Sequence, residues 1–329
     1  MARKHLGKAL IGVGVSAGLL AYLLSTVDLA RMGAHLARTN WGYLAASVCL
    51  SLLAVWVRAW RWRYLFPPGA HPSHLFSAVM IGYMANNVLP LRAGELVRGY
   101  VAAKRGRQRF WTAIATLVVE RVLDALAVVI ILAGLLLAIS VPAQLKWGAL
   151  AFLTLDLAAM GVLTTVALAP ARCRNVVTRL FARWPNVEAK LLGILETFTL
   201  GLQGIRTGSH LFPILVGSVG LWVTYALVTW TALVAAHFQL PLAAAWTVLA
   251  FVGLGVSLPS APGFIGVFQA ATVLALALFD VPRSEALSFS FLFHASQFIP
   301  ITLIGWVFLL TEQISLSQAT TIEDQSQNA

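Results

Sequence analysis

Asn86, Asn87, Arg92, Glu95 and Arg98 lie close together in a stretch whose flanks are apolar enough for a bilayer. Ionisable groups at membrane depth are costly and are kept where they pair or bind something. Guanidinium groups hold carboxylates and phosphates through paired N–H donors, so Arg92 and Arg98 suit an anionic group. The asparagines offer both donor and acceptor atoms, for a polar ligand or for backbone left unpaired nearby. Glu95 stands three residues from each arginine and is expected to pair with one of them. The plainer alternative puts all three charges at the cytoplasmic interface, where they only set topology.

A second group reads Glu120-Arg121-x-x-Asp124 inside a long apolar run. Glu120 and Asp124 share a helix face at i, i+4, and Arg121 reaches Asp124 at i, i+3. An Arg121–Asp124 pair leaves Glu120 in need of another partner, expected to be Arg92 or Arg98. A proton-coupled carboxylate is the sharper alternative for Glu120. A third group, His294 and Gln297, lies at i, i+3 ahead of Pro300. It either faces a site or serves as a helix-packing hydrogen-bond donor.

The elements that must position these residues follow from composition. The 329 residues are 59% hydrophobic and 11% charged, against about 25% charged in an ordinary soluble domain. Mean hydropathy is +0.83. The chain is therefore expected to be all-α, a polytopic membrane helix bundle. Its net charge of +11 fits Lys and Arg in cytoplasmic loops better than nucleic-acid binding, for which no basic soluble domain is present. Full crossings of about 20 apolar residues are expected near 9–25, 41–57, 111–139, 147–169, 210–236 and 286–311.

Two segments, 74–103 and 241–279, are broken by matched signals. Pro90 is followed by Gly94 and Pro259 by Gly263, each after Leu-Pro, and Pro262 lies inside the second break. Pro and Gly end helices, and backbone freed at membrane depth is tolerated only inside protein or beside a wet cavity. With the N-terminus in the cytoplasm, 18 Lys and Arg fall on inside segments and 4 outside. That asymmetry makes 74–103 a re-entrant hairpin from the cytoplasm, because a full crossing would place the Arg92–Arg109 cluster outside. For 241–279, a hairpin and two full crossings leave the flanks on the same side, and charge does not separate them. Two hairpins would give an inverted repeat with halves at about 41–139 and 210–311, as in many transporters with a site where the halves meet.

Residues 171–207 read as a cytoplasmic amphipathic connector, with apolar residues three and four apart. Trp56, Trp60, Trp62 and Tyr64, interleaved with Arg58, Arg61 and Arg63, read as an interfacial belt with snorkelling arginines. One membrane domain is expected over 1–312, then a polar tail over 313–329, with both termini cytoplasmic at the plasma (inner) membrane. The first apolar run shows no convincing cleavage site and is expected to remain as a helix. Cys49 and Cys173 form no disulfide framework, the histidines show no ligand spacing, and neither a metal nor another cofactor is expected. No hydrolase or nucleotide-binding motif is present, so no enzyme activity is expected, although a lipid-linked acid/base chemistry using Glu120 and His294 stays open.

Five motifs, "RAWRWRYL", "GYMANNVLPLRAGELVRGY", "VVERVLDAL", "PSAPGFIGVFQ" and "FHASQFIP", occur in the order of the transmembrane region of lysylphosphatidylglycerol synthases. The chain resembles that flippase-like family over about residues 5–312. The resemblance implies movement of a polar-headgroup lipid, anionic, aminoacylated or glycosylated, between leaflets. It implies membrane lipids as partners, and possibly a separate lipid-modifying enzyme. It implies substrate-binding roles for Asn87, Arg92, Glu95, Arg98, Glu120, Arg121, Asp124, His294 and Gln297, beside structural roles for Pro90, Gly94, Pro259, Pro262 and Gly263. The large aminoacyl-transfer domain of bifunctional members has no counterpart in these 329 residues, so lipid aminoacylation is not expected here.

Overall fold

The structure is a computed structural model. It describes residues 17–70, 72–89, 93–138, 169–256 and 261–314, with Gly14 and scattered positions in 147–166. The expected crossings at 9–25 and 147–169 fall partly or mostly outside the described residues. Pro90, Arg92, Pro259 and the tail from 315 onward lie wholly outside them.

Among the described residues the chain is all-α. Helix α1 (Leu29–Ala37) precedes α2 (Trp41–Arg63), which is followed by α3 (Leu75–Val88), α4 (Gly94–Gly106) and α5 (Phe110–Ala138). Three pieces, α6 (Pro170–Phe181), α7 (Pro185–Gly201) and α8 (Gln203–Arg206), lead to α9 (Gly208–Ala235). Then come α10 (Leu242–Gly255), a 3-10 turn at Pro262–Phe264, α11 (Val267–Ala277) and α12 (Arg283–Thr311). Helices α2, α9 and α12 are long and apolar enough to cross a bilayer, and α5, with 29 residues, equals the longest of them in length.

Local chemistry sets the boundaries. Asn40 caps α2, its side-chain oxygen accepting from the Gly42 and Tyr43 N–H groups. Helix α2 runs six residues past the expected end at 57, because Arg58 and Arg61 find partners inside the bundle. Pro67, Pro68 and Gly69 follow its end. The second break turns on glycines: Gly263 and Gly266 have φ of 68° and 87°, a conformation open to Gly at little cost.

Helices α3, α4, α10 and α11 have 14, 13, 14 and 11 residues. At 1.5 Å per residue each is about 17–21 Å long, short of the roughly 30 Å hydrocarbon core. They form two close pairs, α3 with α4 and α10 with α11. The helix pairings are themselves matched between halves. Helix α12 packs on α3 of the other half, as α5 packs on α10; α4 meets α5 as α11 meets α12; α2 and α9 pack on each other. Gly82 and Gly94 permit the close approach within the first pair, since a methyl at Gly82 would stand 2.8 Å from Arg98 Cβ and 3.0 Å from the Gly94 carbonyl.

The connector 171–207 is made of three helices, and α7 docks against α5, with the Thr197 carbonyl accepting from Thr112 Oγ1. The end of α12 is anchored. Glu312 is held by His74 Nδ1 at 2.7 Å, Ser77 Oγ at 2.9 Å and Arg105 Nε at 2.9 Å, and Ile314 is buried. These bonds tie the end of α12 to both arms of the first helix pair.

Candidate functional site

Two polar assemblies sit side by side where the halves meet. The first is closed around Glu120 and Arg98, while its Arg58 and Asp124 reach the cavity wall. Glu120, on α5, is 0% exposed and is clasped by Arg98 of α4 through bonds of 2.6 and 2.8 Å. It also accepts from Arg58 of α2. One turn on, Asp124 accepts from Arg58 Nη2 and from Arg61 Nη2, each at 2.8 Å. Arg98 lies 3.9 Å above the Trp62 ring, whose N–H donates to Thr116 at 2.8 Å. Helix spacing explains the set: Arg58 and Arg61 are i, i+3 on α2, facing Glu120 and Asp124 at i, i+4 on α5.

The second assembly is open. Arg121 pairs with Glu95, and their side chains are 48% and 28% exposed. The space Arg121 faces is a partly open cavity of about 630 Å³. The charged wall of this cavity is Arg58, Glu95, Arg121 and Asp124, with Tyr83, Asn86, Asn87 and Tyr225 beside it. The facing wall, from α10, α11 and α12, is Val248, Val252, Phe268, Phe293, Phe298 and Ile301, interrupted by His294 and Gln297. Arg58, Arg61, Arg98 and Arg121 against Glu95, Glu120 and Asp124 leave one surplus positive charge across the two assemblies. Two buried polar atoms on the wall, Glu95 Oε2 and Trp222 Nε1, have no hydrogen-bond partner.

The remaining polar residues hold the breaks. Asn86 Oδ1 accepts from the Gly94 N–H at 2.9 Å and so bridges the first break. Asn87 donates to Thr302 of α12 at 2.7 Å. In the second half, Gln269 accepts from the Gly266 N–H at 2.7 Å and meets His294 Nδ1 at 3.0 Å. A methyl on Gly263 would stand 3.4 Å from the Asn87 carbonyl, and the 262–264 turn packs on α3.

Of the residues singled out from sequence, Asn86, Asn87, Glu95, Arg121, Asp124, His294 and Gln297 line one cavity. Arg98 and Glu120 stand behind its wall, buried in the closed assembly. The expected Arg121–Asp124 pair is not made: both Asp124 oxygens are taken by Arg58 and Arg61, and Arg121 turns to Glu95. Glu95 accordingly does not pair with Arg98. The snorkelling reading fails for Arg58 and Arg61, which are 4% and 0% exposed, whereas Arg63 is exposed. Tyr83, Trp222, Tyr225 and Gln269 were not anticipated. A tyrosine within an apolar run, as at Tyr225, is the signal that could have found them.

The fold and site define an integral membrane protein of helices, with a half-charged, half-apolar cavity lined from α2, α3, α4, α5, α9, α10, α11 and α12. The chain belongs to the family described as "Lysylphosphatidylglycerol synthase TM region", which matches residues 9–305. It is similar to "Glycosyltransferase AglD" of Haloferax volcanii, 28% identical over 77% of this chain and 45% of that protein. It is also similar to a UPF0104 membrane protein of Methanocaldococcus jannaschii, 24% identical over 71% of this chain and 96% of that protein. The chain thus spans less than half of the first relative's length and nearly all of the second's. No solved structure matches it.

Proposed function

We propose that the protein moves a lipid with an anionic polar headgroup between membrane leaflets. The observation that carries this reading is the cavity's two-sidedness: charged side chains face apolar ones across about 630 Å³ at the junction of the halves. A lipid has that same division. Its headgroup meets Arg121, whose pair with Glu95 is open, while Arg98 and Glu120 serve as scaffold behind the wall. The surplus positive charge and the unpaired Trp222 N–H favour an anion such as a phosphate or carboxylate. Glu95 occupies Arg121 in the empty site, and the incoming headgroup exchanges with it. The lipid's chains stay among apolar side chains.

In this reading the short pairs α3/α4 and α10/α11 are re-entrant hairpins of an inverted repeat, with residues 1–312 as one membrane domain. Both termini face the cytoplasm at the inner membrane. The length of the arms and the matched pairings support that arrangement. The test is leaflet exchange of fluorescent phosphatidylglycerol in vesicles carrying the full chain. Exchange by wild type that falls at least tenfold in Arg121→Gln supports the reading; equal rates sink it. A second reading is an enzyme acting on a lipid-linked substrate, which the name of the Haloferax volcanii relative, a glycosyltransferase, favours. Conversion of a lipid extract by detergent-solubilised protein, followed by mass spectrometry, would establish it.

A further inference from the structure

Gln269 provides a way to read the protonation state of His294. Its side-chain oxygen is committed to the Gly266 N–H at 2.7 Å, so its amide nitrogen faces His294 Nδ1 at 3.0 Å. An amide nitrogen only donates. Nδ1 must therefore accept, which fixes a neutral imidazole with its proton on Nε2. The Gly263 backbone carbonyl lies by the ring as an acceptor. One face of the imidazole stacks on Phe268 at 4.4 Å, and the residue opens onto the cavity.

A second proton on His294 would set two donors against each other. Turning the Gln269 amide over relieves that conflict, but it places an NH2 group against the Gly266 N–H. The first turn of α11 then loses its acceptor. The turn of the break, with Gly263 and Gly266 at φ 68° and 87°, is held between these two contacts. The 262–264 turn also packs on α3, which carries Asn87, so a change here is passed toward the charged wall. Among the described residues, no titratable side chain contacts the imidazole from α11, from the 262–266 turn or from neighbouring turns of α12. Across the cavity stand Arg58 of α2, Tyr83 of α3, Glu95 of α4, Arg121 and Asp124 of α5, and Tyr225 of α9. A bound anion would be the group that favours an imidazolium there, and linkage makes the effect mutual.

We propose that His294 is a proton-binding site coupled to the headgroup: an anionic headgroup enters with one proton, which His294 takes, and Gln269 transmits that state to the second break. The proposal rests on the headgroup reading of the cavity but is tested apart from transport. Full-length protein in detergent, in weakly buffered solution, is mixed with dihexanoyl-phosphatidylglycerol, with dihexanoyl-phosphatidylcholine as the uncharged-net control. Wild type should take up about one proton per bound anionic lipid and none with the control. His294→Gln and His294→Asn keep an amide oxygen available near the Nδ1 position and cannot titrate; whichever of them melts within a few degrees of wild type should bind the lipid without uptake. Absence of uptake in wild type, or equal uptake in a folded variant, overturns the proposal. In vesicles, the exchange rate should then vary up to about tenfold per pH unit in wild type and stay flat in the variant. Exchange that is itself pH-independent in wild type counts against the coupling and leaves the lipid-transfer reading standing.

Discussion

Glu120→Gln should cost far more stability than Arg121→Gln, although the two residues are neighbours in sequence. Glu120 is 0% exposed and accepts three N–H groups from two arginines. Glutamine keeps the volume but removes the charge and turns one acceptor into a donor aimed at a guanidinium. Breaking a buried ion pair by removing one partner costs about 3–5 kcal/mol. For a chain of this size roughly 2–4 °C accompanies each kcal/mol, so the melting temperature should fall on the order of 10 °C. Arg121→Gln removes a pair that is half open to the cavity, worth at most about 1 kcal/mol. The assay is a thermal melt of purified protein in one detergent at one lipid-to-protein ratio. The paired substitution Arg98→Met/Glu120→Met should recover much of the loss, because replacing both buried charges by apolar groups is often neutral. A Glu120→Gln melt within about 1 °C of wild type, or no recovery in the double variant, would refute the division into a closed scaffold and an open site.

Other consequences follow from the same geometry. Gly82→Ala puts a methyl 2.8 Å from Arg98 Cβ and should destabilise by about 1–3 kcal/mol, read as a lower melting temperature. Asn86→Ala leaves the Gly94 N–H without its acceptor and should cost about 1 kcal/mol, with faster amide exchange at the start of α4. Burial pushes the Glu312 carboxyl up, but hydrogen bonds from His74 and Ser77 and the charge of Arg105 outweigh it and hold the group below its ordinary value. Its contribution to stability is therefore complete above the ordinary carboxylate pKa of about 4.3 and is lost as pH falls through the lowered one. Glu312→Gln should flatten that acid limb of the melting-temperature profile.

The order of helices and the two breaks were legible because both are local. Apolar length marks a crossing, and Pro and Gly mark an interruption. The pairing of charges was less legible. Arg58 and Arg61 end an apolar run among tryptophans, the same local pattern as a snorkelling belt. Only Asp124 and Glu120, more than 60 residues away, decide that the helix continues and the guanidiniums turn inward. Arg121 and Asp124 have the right spacing for each other, yet long-range partners have already saturated Asp124. Among the described residues the first break contributes Glu95 to the charged wall, and Arg58, Arg121 and Asp124 come from α2 and α5. His294 is the twelfth residue of α12 and Glu120 the eleventh of α5.

The central claim is that a lipid headgroup occupies the space between the charged and apolar walls. It is tested most directly with phosphatidylglycerol carrying a photoreactive diazirine on its headgroup, cross-linked to the full chain in vesicles and mapped by peptide mass spectrometry. The account predicts adducts at cavity residues such as Tyr83, Tyr225 and Gln297, lost when unlabelled phosphatidylglycerol competes and weakened in Arg121→Gln. Adducts confined to outward-facing residues such as Leu215, Val219 and Leu303, with the cavity unmarked, would contradict it.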